Sequence, residues 1–201
     1  MKKEKKSNEV QLLIRLVVRD PDGKILSDTG QKPSKSFVIQ FLEFIYGLFD
    51  GAAVIDATDV DNAENYIYWG GREADLQLHV LAPINTSIYG IVVGTGDTAE
   101  TNTDYKLDVQ LTEGVGAGNI THGAMVVGTT AVVGANVDLL LNRAFPNNTG
   151  STITVKEAGL YTELEFVPFK YHCIIRDVLG TPIDIPDLCA LTVYYTLRTT
   201  V

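Results

Sequence analysis

Residues 10–19, VQLLIRLVVR, hold the pattern that decides the fold of this chain. The apolar residues at every second position of this stretch are Val10, Leu12, Ile14, Leu16 and Val18. Because successive side chains of a β-strand point to opposite faces, this spacing predicts a strand with one strongly apolar face. The other face is mixed, since it includes Arg15 and Arg19 beside apolar residues. Turn residues follow at 20–23, DPDG, and predict a hairpin whose second arm begins near residue 24.

The same alternation recurs along the chain and predicts a mainly β fold. The clearest example is 191–197, LTVYYTL, and the further candidates are residues 76–80, 88–93, 124–133, 137–145, 151–156 and 171–176. Turn signals rich in Gly, Asn and Pro separate these short stretches. Eight or more short strands with such turns between them predict a β-sandwich or jelly roll.

One amphipathic helix is predicted near the N-terminus. Pro33 and Ser34 are expected to open it, with the Ser34 side chain capping the first turn, and Asp50-Gly51 are expected to end it. The apolar residues at helical spacing are Phe37, Phe41, Ile45, Leu48 and Phe49, whereas Gln40 is predicted to lie off this stripe. Such a stripe packs either on the core of its own chain or on a neighbouring subunit, and we favour the core.

Composition and charge set limits on the partners. The 201 residues carry a formal net charge of -9, which argues against nucleic-acid binding as the main function. The basic residues Lys2, Lys3, Lys5 and Lys6 predict an N-terminal arm over residues 1–9 that docks on an acidic neighbour or on encapsidated nucleic acid, the alternative being a solvated terminus. Residues 10–201 are expected to form a single β-sandwich domain, the alternative being a separate arm or subdomain over residues 10–70.

The sequence predicts neither a secretory signal nor a membrane-spanning segment. No apolar block follows the basic start, and the long uncharged stretch between Glu113 and Asp138 is rich in Gly, Thr, Asn and Ala. Cys173 and Cys189 are expected to be buried free thiols, with a disulfide between them as the alternative.

Few residues suggest catalysis or cofactor binding. Residues 94–99 match G-x-G-x-x-A, but polar loop residues follow them rather than a helix, so a tight loop is predicted. His172 and Cys173 are adjacent and would point to opposite faces of a strand. Residues 51–75 are predicted to be irregular, with a solvated acidic loop formed by Asp56, Asp59, Asp61 and Glu64 and a Ca²⁺ site as the alternative. We therefore expect no catalytic residue, metal or cofactor.

Several short motifs, taken together and in order, resemble those of virion structural proteins from tailed bacterial and archaeal viruses. They are 90–96 GIVVGTG, 103–107 TDYKL, 143–145 RAF, 147–150 NNTG, 153–161 ITVKEAGLY, 175–179 IRDVL, 182–183 PI and 191–196 LTVYYT. The resemblance covers residues 88–197, with weaker support from 10–50. It implies a β-sandwich preceded by a helix such as 36–42, SFVIQFL, and a place in the capsid, neck or tail.

The leading expectation is therefore a non-enzymatic, homo-oligomeric virion protein, assembled in the host cytoplasm, that decorates the capsid or joins head and tail. Its partners would be copies of itself and major capsid, neck or tail proteins. The alternative is a carbohydrate- or receptor-binding module on the virion surface, in which Tyr66, Tyr68 and Trp69 stack on a sugar ring. For these three residues we favour a place in the core or in a subunit interface.

Overall fold

A computed structural model describes residues 9–34, 37–50, 54–68, 78–164 and 169–200 and confirms a mainly β protein built from antiparallel sheets. The strands are β1 (Glu9–Arg19), β2 (Ile25–Asp28), β3 (Lys32–Pro33), β4 (Val54–Thr58), β5 (Glu64–Tyr68), β6 (Gly90–Gly94), β7 (Thr112–Glu113), β8 (Asn119–Ile120), β9 (Val126–Val127), β10 (Ala131–Val133), β11 (Asn136–Pro146), β12 (Ile153–Leu164), β13 (Lys170–Ile185) and β14 (Ala190–Thr200). The helix within the described residues is α1 (Ile39–Asp50).

The larger sheet has seven strands in the order β10-β11-β14-β1-β2, with β3 also paired to β1 and β9 to β11. The predicted hairpin of β1 and β2 is confirmed. The mixed face of β1 is more buried than its composition suggests, since Leu13 and Val17 are buried there as well. The segment after β2 runs near this face, where the Gln31 amide donates a hydrogen bond to the Thr196 hydroxyl over 3.2 Å.

The smaller sheet has the order β13-β12-β6. One face meets the larger sheet, because the Tyr195 hydroxyl of β14 donates a hydrogen bond to Asp177 of β13 over 3.0 Å. On the opposite face, the loop after β6 packs against Gly159, and the Leu107 amide donates a hydrogen bond to the Tyr161 hydroxyl. Both faces are thus covered, which accounts for the nearly continuous burial along β12.

The predicted start of the helix is wrong. Pro33 belongs to β3, and Ser34 does not cap a helix but donates its hydroxyl to Asp177 over 2.7 Å. Phe37 lies before the helix and bridges to Ile175 at the edge of β13. Residues 32–33 pair with β1 and Phe37 bridges to β13, and the helix begins only at Ile39. Its predicted end at Asp50 is confirmed.

Two further expectations need correction. Residues 51–75 are not wholly irregular, because β4 and β5 pair as an antiparallel hairpin. In the predicted strand at 76–80, the described residues 78–80 form no regular strand, and only His79 bridges to Glu163. The predicted loop at 94–99 is confirmed, since it follows β6 without a helix.

Candidate interaction surface

The helix α1 has two apolar faces. Gln40, Phe44 and Gly47 are buried on one side, where the Phe44 ring meets the edge of the His172 ring at 5.5 Å between centroids. Ile39, Leu42 and Tyr46 recur every three or four residues on the opposite side, and all three are exposed. A surface helix ordinarily carries polar residues there. The exposed apolar face of α1, defined by Ile39, Leu42 and Tyr46, is therefore a candidate contact for another protein.

The predicted aromatic stripe lies between these two faces. Phe37, Phe41 and Ile45 are half-buried, and the Phe37 and Phe41 rings stack at 3.9 Å between centroids. Gln40 lies off the stripe as predicted, and it is buried on the same side of the helix as Phe44. The side chain of Phe49 lies outside the described part of the structure.

Other predicted site residues fall outside what the structure describes. Lys2, Lys3, Lys5 and Lys6 precede the first described residue, and β1 already begins at Glu9 of the predicted arm. Tyr66 and Tyr68 lie on β5, but their side chains are outside the described part, as is the whole of Trp69. Sugar stacking by these aromatic residues stays a prediction.

Sequence patterns did not reveal a buried ionic cluster between β12 and β13. The Arg176 guanidinium lies 3.1 Å from the Glu157 carboxylate and 2.6 Å from that of Asp104. Glu157 also accepts hydrogen bonds from the backbone amides of Gly96, Asp108 and Val109. The cluster thereby fastens the loop after β6 onto the smaller sheet.

Hydrogen bonding occupies the charged groups of this cluster. Burial alone would raise the pKa of Asp104, but hydrogen bonds from Thr101 and Arg176 outweigh it and lower the pKa. Arg176 also donates to the Thr98 carbonyl. These contacts are those of a structural clamp rather than of a carboxylate poised for proton transfer.

A second buried cation, Arg143 of β11, holds a different loop. Its side chain donates to five backbone carbonyls, those of Pro83, Thr86, Tyr89, Ile91 and Gly123. The residue is fully buried, and burial lowers the pKa of its guanidinium to about 10. Since all these acceptors are backbone groups, the role of Arg143 is to satisfy carbonyls that the loop could not pair by itself.

His122 lies near this cation and is fully buried. Its Nδ1 is 2.9 Å from both the Glu113 carboxylate and the Ile120 carbonyl, so Nδ1 carries the proton. Nε2 has no hydrogen-bond partner among the described residues and lies in a ring that meets Phe145 edge-on. Burial, aided by the positive charge of Arg143, lowers the pKa of His122 and favours the neutral ring.

The acidic turn between β4 and β5 is also structural. Asp59 is buried rather than solvated as predicted, and it accepts hydrogen bonds from the amides of Asp61 and Ala63. Lys170 donates to its second oxygen over 2.9 Å. Within the described ranges, no group of three His, Cys, Asp or Glu side chains is arranged to hold a metal ion.

Cys173 and Cys189 are both buried and free, which confirms the prediction of unpaired thiols. Burial raises the pKa of the Cys173 thiol, which therefore stays protonated at neutral pH. Among the described residues there is no helix long and apolar enough to cross a membrane.

The protein is mainly β, and the buried polar clusters of its described part hold its own loops in place. Comparisons of the chain with protein-family models, with curated proteins and with solved structures give no match.

Proposed function

We propose that this chain is a non-enzymatic structural protein of a tailed-virus particle, which decorates the capsid or joins head and tail. The observation that carries the proposal is the exposed apolar face of α1. Leu42 and Tyr46 on this face are 64% and 60% exposed, although burial of such large apolar side chains away from water is favourable. A neighbouring protein of the particle would cover this face.

We also propose that the two main sheets form a β-sandwich. The contact between Tyr195 and Asp177 joins their facing surfaces near the middle of β14. Arg143 joins them a second time, since it lies on β11 of the larger sheet and donates to the Ile91 carbonyl of β6 over 2.9 Å.

The polar residues of the described chain support a structural role. The Glu157–Arg176 cluster, Arg143 and Asp59 each use their hydrogen-bonding groups to fasten loops onto sheets. Assembly would take place in the host cytoplasm, with copies of the chain and major capsid, neck or tail proteins as partners.

Mass spectrometry of density-purified particles tests this function. We expect the chain at a fixed copy number per particle, and a lower copy number for Leu42→Lys, because a charge on the helix face opposes burial in a contact. Leu188→Lys is the matched control, since Leu188 is 65% exposed and lies in the turn before β14. Absence of the chain from particles, with soluble protein in the lysate, would contradict the proposal.

A further inference from the structure

We propose that two copies of this chain associate through strand β10, pairing it with its counterpart so that the larger sheet continues across both molecules. This inference rests on the oligomeric part of the proposed function and deepens it by naming the surface of self-association. β10 ends the strand order of the larger sheet, and no segment in the described ranges pairs with its outer side.

The geometry of the hairpin leaves a backbone donor and acceptor on the open edge. β10 turns into β11 through Gly134 and Ala135, with φ of 63° at Gly134 as a type II′ turn requires. The residues that close a two-residue turn, Val133 and Asn136, form the hydrogen-bonded pair of the ladder. In the next pair, Val132 with Val137, the N–H and C=O groups of Val132 therefore point away from β11.

Apolar side chains surround this open edge. Val132 is 79% exposed, and the exposed valines nearest to it in the sheet are Val126, Val127, Val133 and Val137. The register places Val132 and Val137 on the sheet face that also carries Val10, which is exposed as well. An edge strand with exposed apolar side chains is a template for pairing with another strand.

The distribution of charged residues supports a second copy of this chain as the partner that pairs with β10. The chain carries a net charge of -9, so contact between two copies is opposed least where the surface carries no charge. Residues 114–137 contain no Asp, Glu, Lys or Arg, and the adjacent Asp138 is neutralised by Arg198 at 2.6 Å. The opposite end of the sheet is different, because Lys24 precedes β2 and the ion-paired Asp28 is its last residue. Charges of that kind protect an edge from pairing.

A two-fold axis at Val132 lets the free backbone groups of both β10 edges form hydrogen bonds with each other. Antiparallel pairing of β10 with its copy sets Val132 opposite Val132 of the second molecule, where each donates its N–H to the other's C=O. The valines of the two copies then cover one another, and the contact closes as a dimer.

Sedimentation equilibrium of the full-length chain over a range of concentrations tests the inference. We expect a dimer whose dissociation constant rises at least about tenfold in Val132→Lys, because two like charges would face each other across the axis. Val115→Lys is the matched control, since Val115 is 60% exposed in the turn between β7 and β8. A wild-type chain that stays monomeric, or a dimer that Val132→Lys leaves unchanged, overturns the inference.

A cysteine variant gives a second test of the proposed dimer, and this test does not depend on whether Val132→Lys folds. Residues opposite each other in a hydrogen-bonded antiparallel pair lie within disulfide range, so Val132→Cys should form a covalent dimer on mild oxidation with oxidised glutathione. Val115→Cys should not, and the native thiols are buried. Equal crosslinking of both variants overturns the inference. Copy numbers in particles are measured separately, so failure of the dimer and failure of the virion function are distinguishable.

Discussion

At the scale of single residues, close packing makes particular side-chain sizes obligatory. Gly159 of β12 lies where the loop after β6 approaches the smaller sheet. A Cβ atom built on it would be 2.7 Å from the Ile175 carbonyl oxygen and 3.1 Å from a Leu107 methyl carbon. Backbone cannot yield at this position without disturbing the pairing of β12 with β13, so the absence of a side chain is a packing requirement.

Gly159→Ala is therefore expected to lower the free energy of unfolding by about 1–3 kcal/mol. Gly180→Ala is the matched control, because a Cβ atom there meets nothing within 4 Å. Urea unfolding of the two variants measures the difference. Equal stability of both would show that the loop after β6 does not pack on Gly159 as described.

The buried histidine predicts a dependence of stability on pH. The pKa of His122 is lowered in the folded protein, first by burial and then by Arg143, whereas Glu113 acts in the opposite direction. The unfolded chain therefore binds more protons below its ordinary pKa of about 6.5, and stability falls as the pH falls below that value.

His122→Gln should reduce this loss of stability between pH 7.5 and pH 5.5. Denaturant unfolding at both pH values, compared with the wild type, measures the change in slope. The same variant at pH 8 is the control, because the ring is neutral in both states there and only a constant difference in stability remains. An unchanged slope in the variant would mean that other groups cause the pH dependence.

At the scale of elements, α1 has one buried face and one exposed apolar face. Phe44 is fully buried against His172, whereas Leu42, two residues earlier, is exposed on the opposite face. Phe44→Ala should therefore cost about 3–5 kcal/mol of unfolding free energy. Leu42→Ala should change it by less than about 0.5 kcal/mol.

Thermal or urea unfolding of the two helix variants distinguishes these outcomes. A large loss of stability in Leu42→Ala would mean that the exposed face is covered by the chain itself. In that case the helix would no longer support the proposed contact in the particle.

At the scale of the whole molecule, the last strand completes the sheet that the first strand begins. β14 is paired on one side with β1 and on the other with β11, so it is central in the larger sheet although it is last in sequence. Removal of residues 190–201 should therefore abolish cooperative unfolding. Removal of residues 1–8, which precede β1, should leave the unfolding free energy within about 0.5 kcal/mol of the wild type.

The same short deletion tests the predicted basic arm. Loss of Lys2, Lys3, Lys5 and Lys6 should lower the copy number of the chain in particles, because the arm is expected to dock on an acidic neighbour or on encapsidated nucleic acid. Quantitative mass spectrometry of particles measures this number. Unchanged incorporation would argue against a docking role for the arm.

Local patterns in the sequence predicted several strands and the first turn of this protein. Alternation over residues 10–19 and 191–197 predicts β1 and β14, and the turn residues at 20–23 predict the first hairpin. These features depend on side chains only a few positions apart, which is why sequence periodicity reveals them. The net charge and the uncharged stretch at 114–137 can likewise be read from the sequence alone.

Only the tertiary structure decided where the helix begins, which of its faces is buried, and how the buried charges are satisfied. Pairing with distant strands keeps Ser34 out of the helix, and Phe44, whose ring contacts His172, is fully buried whereas Phe41 is half-buried. Arg143 reaches carbonyls more than fifty residues away in sequence. Such contacts join segments that are remote along the chain, and their energies outweigh the local propensities that sequence patterns report.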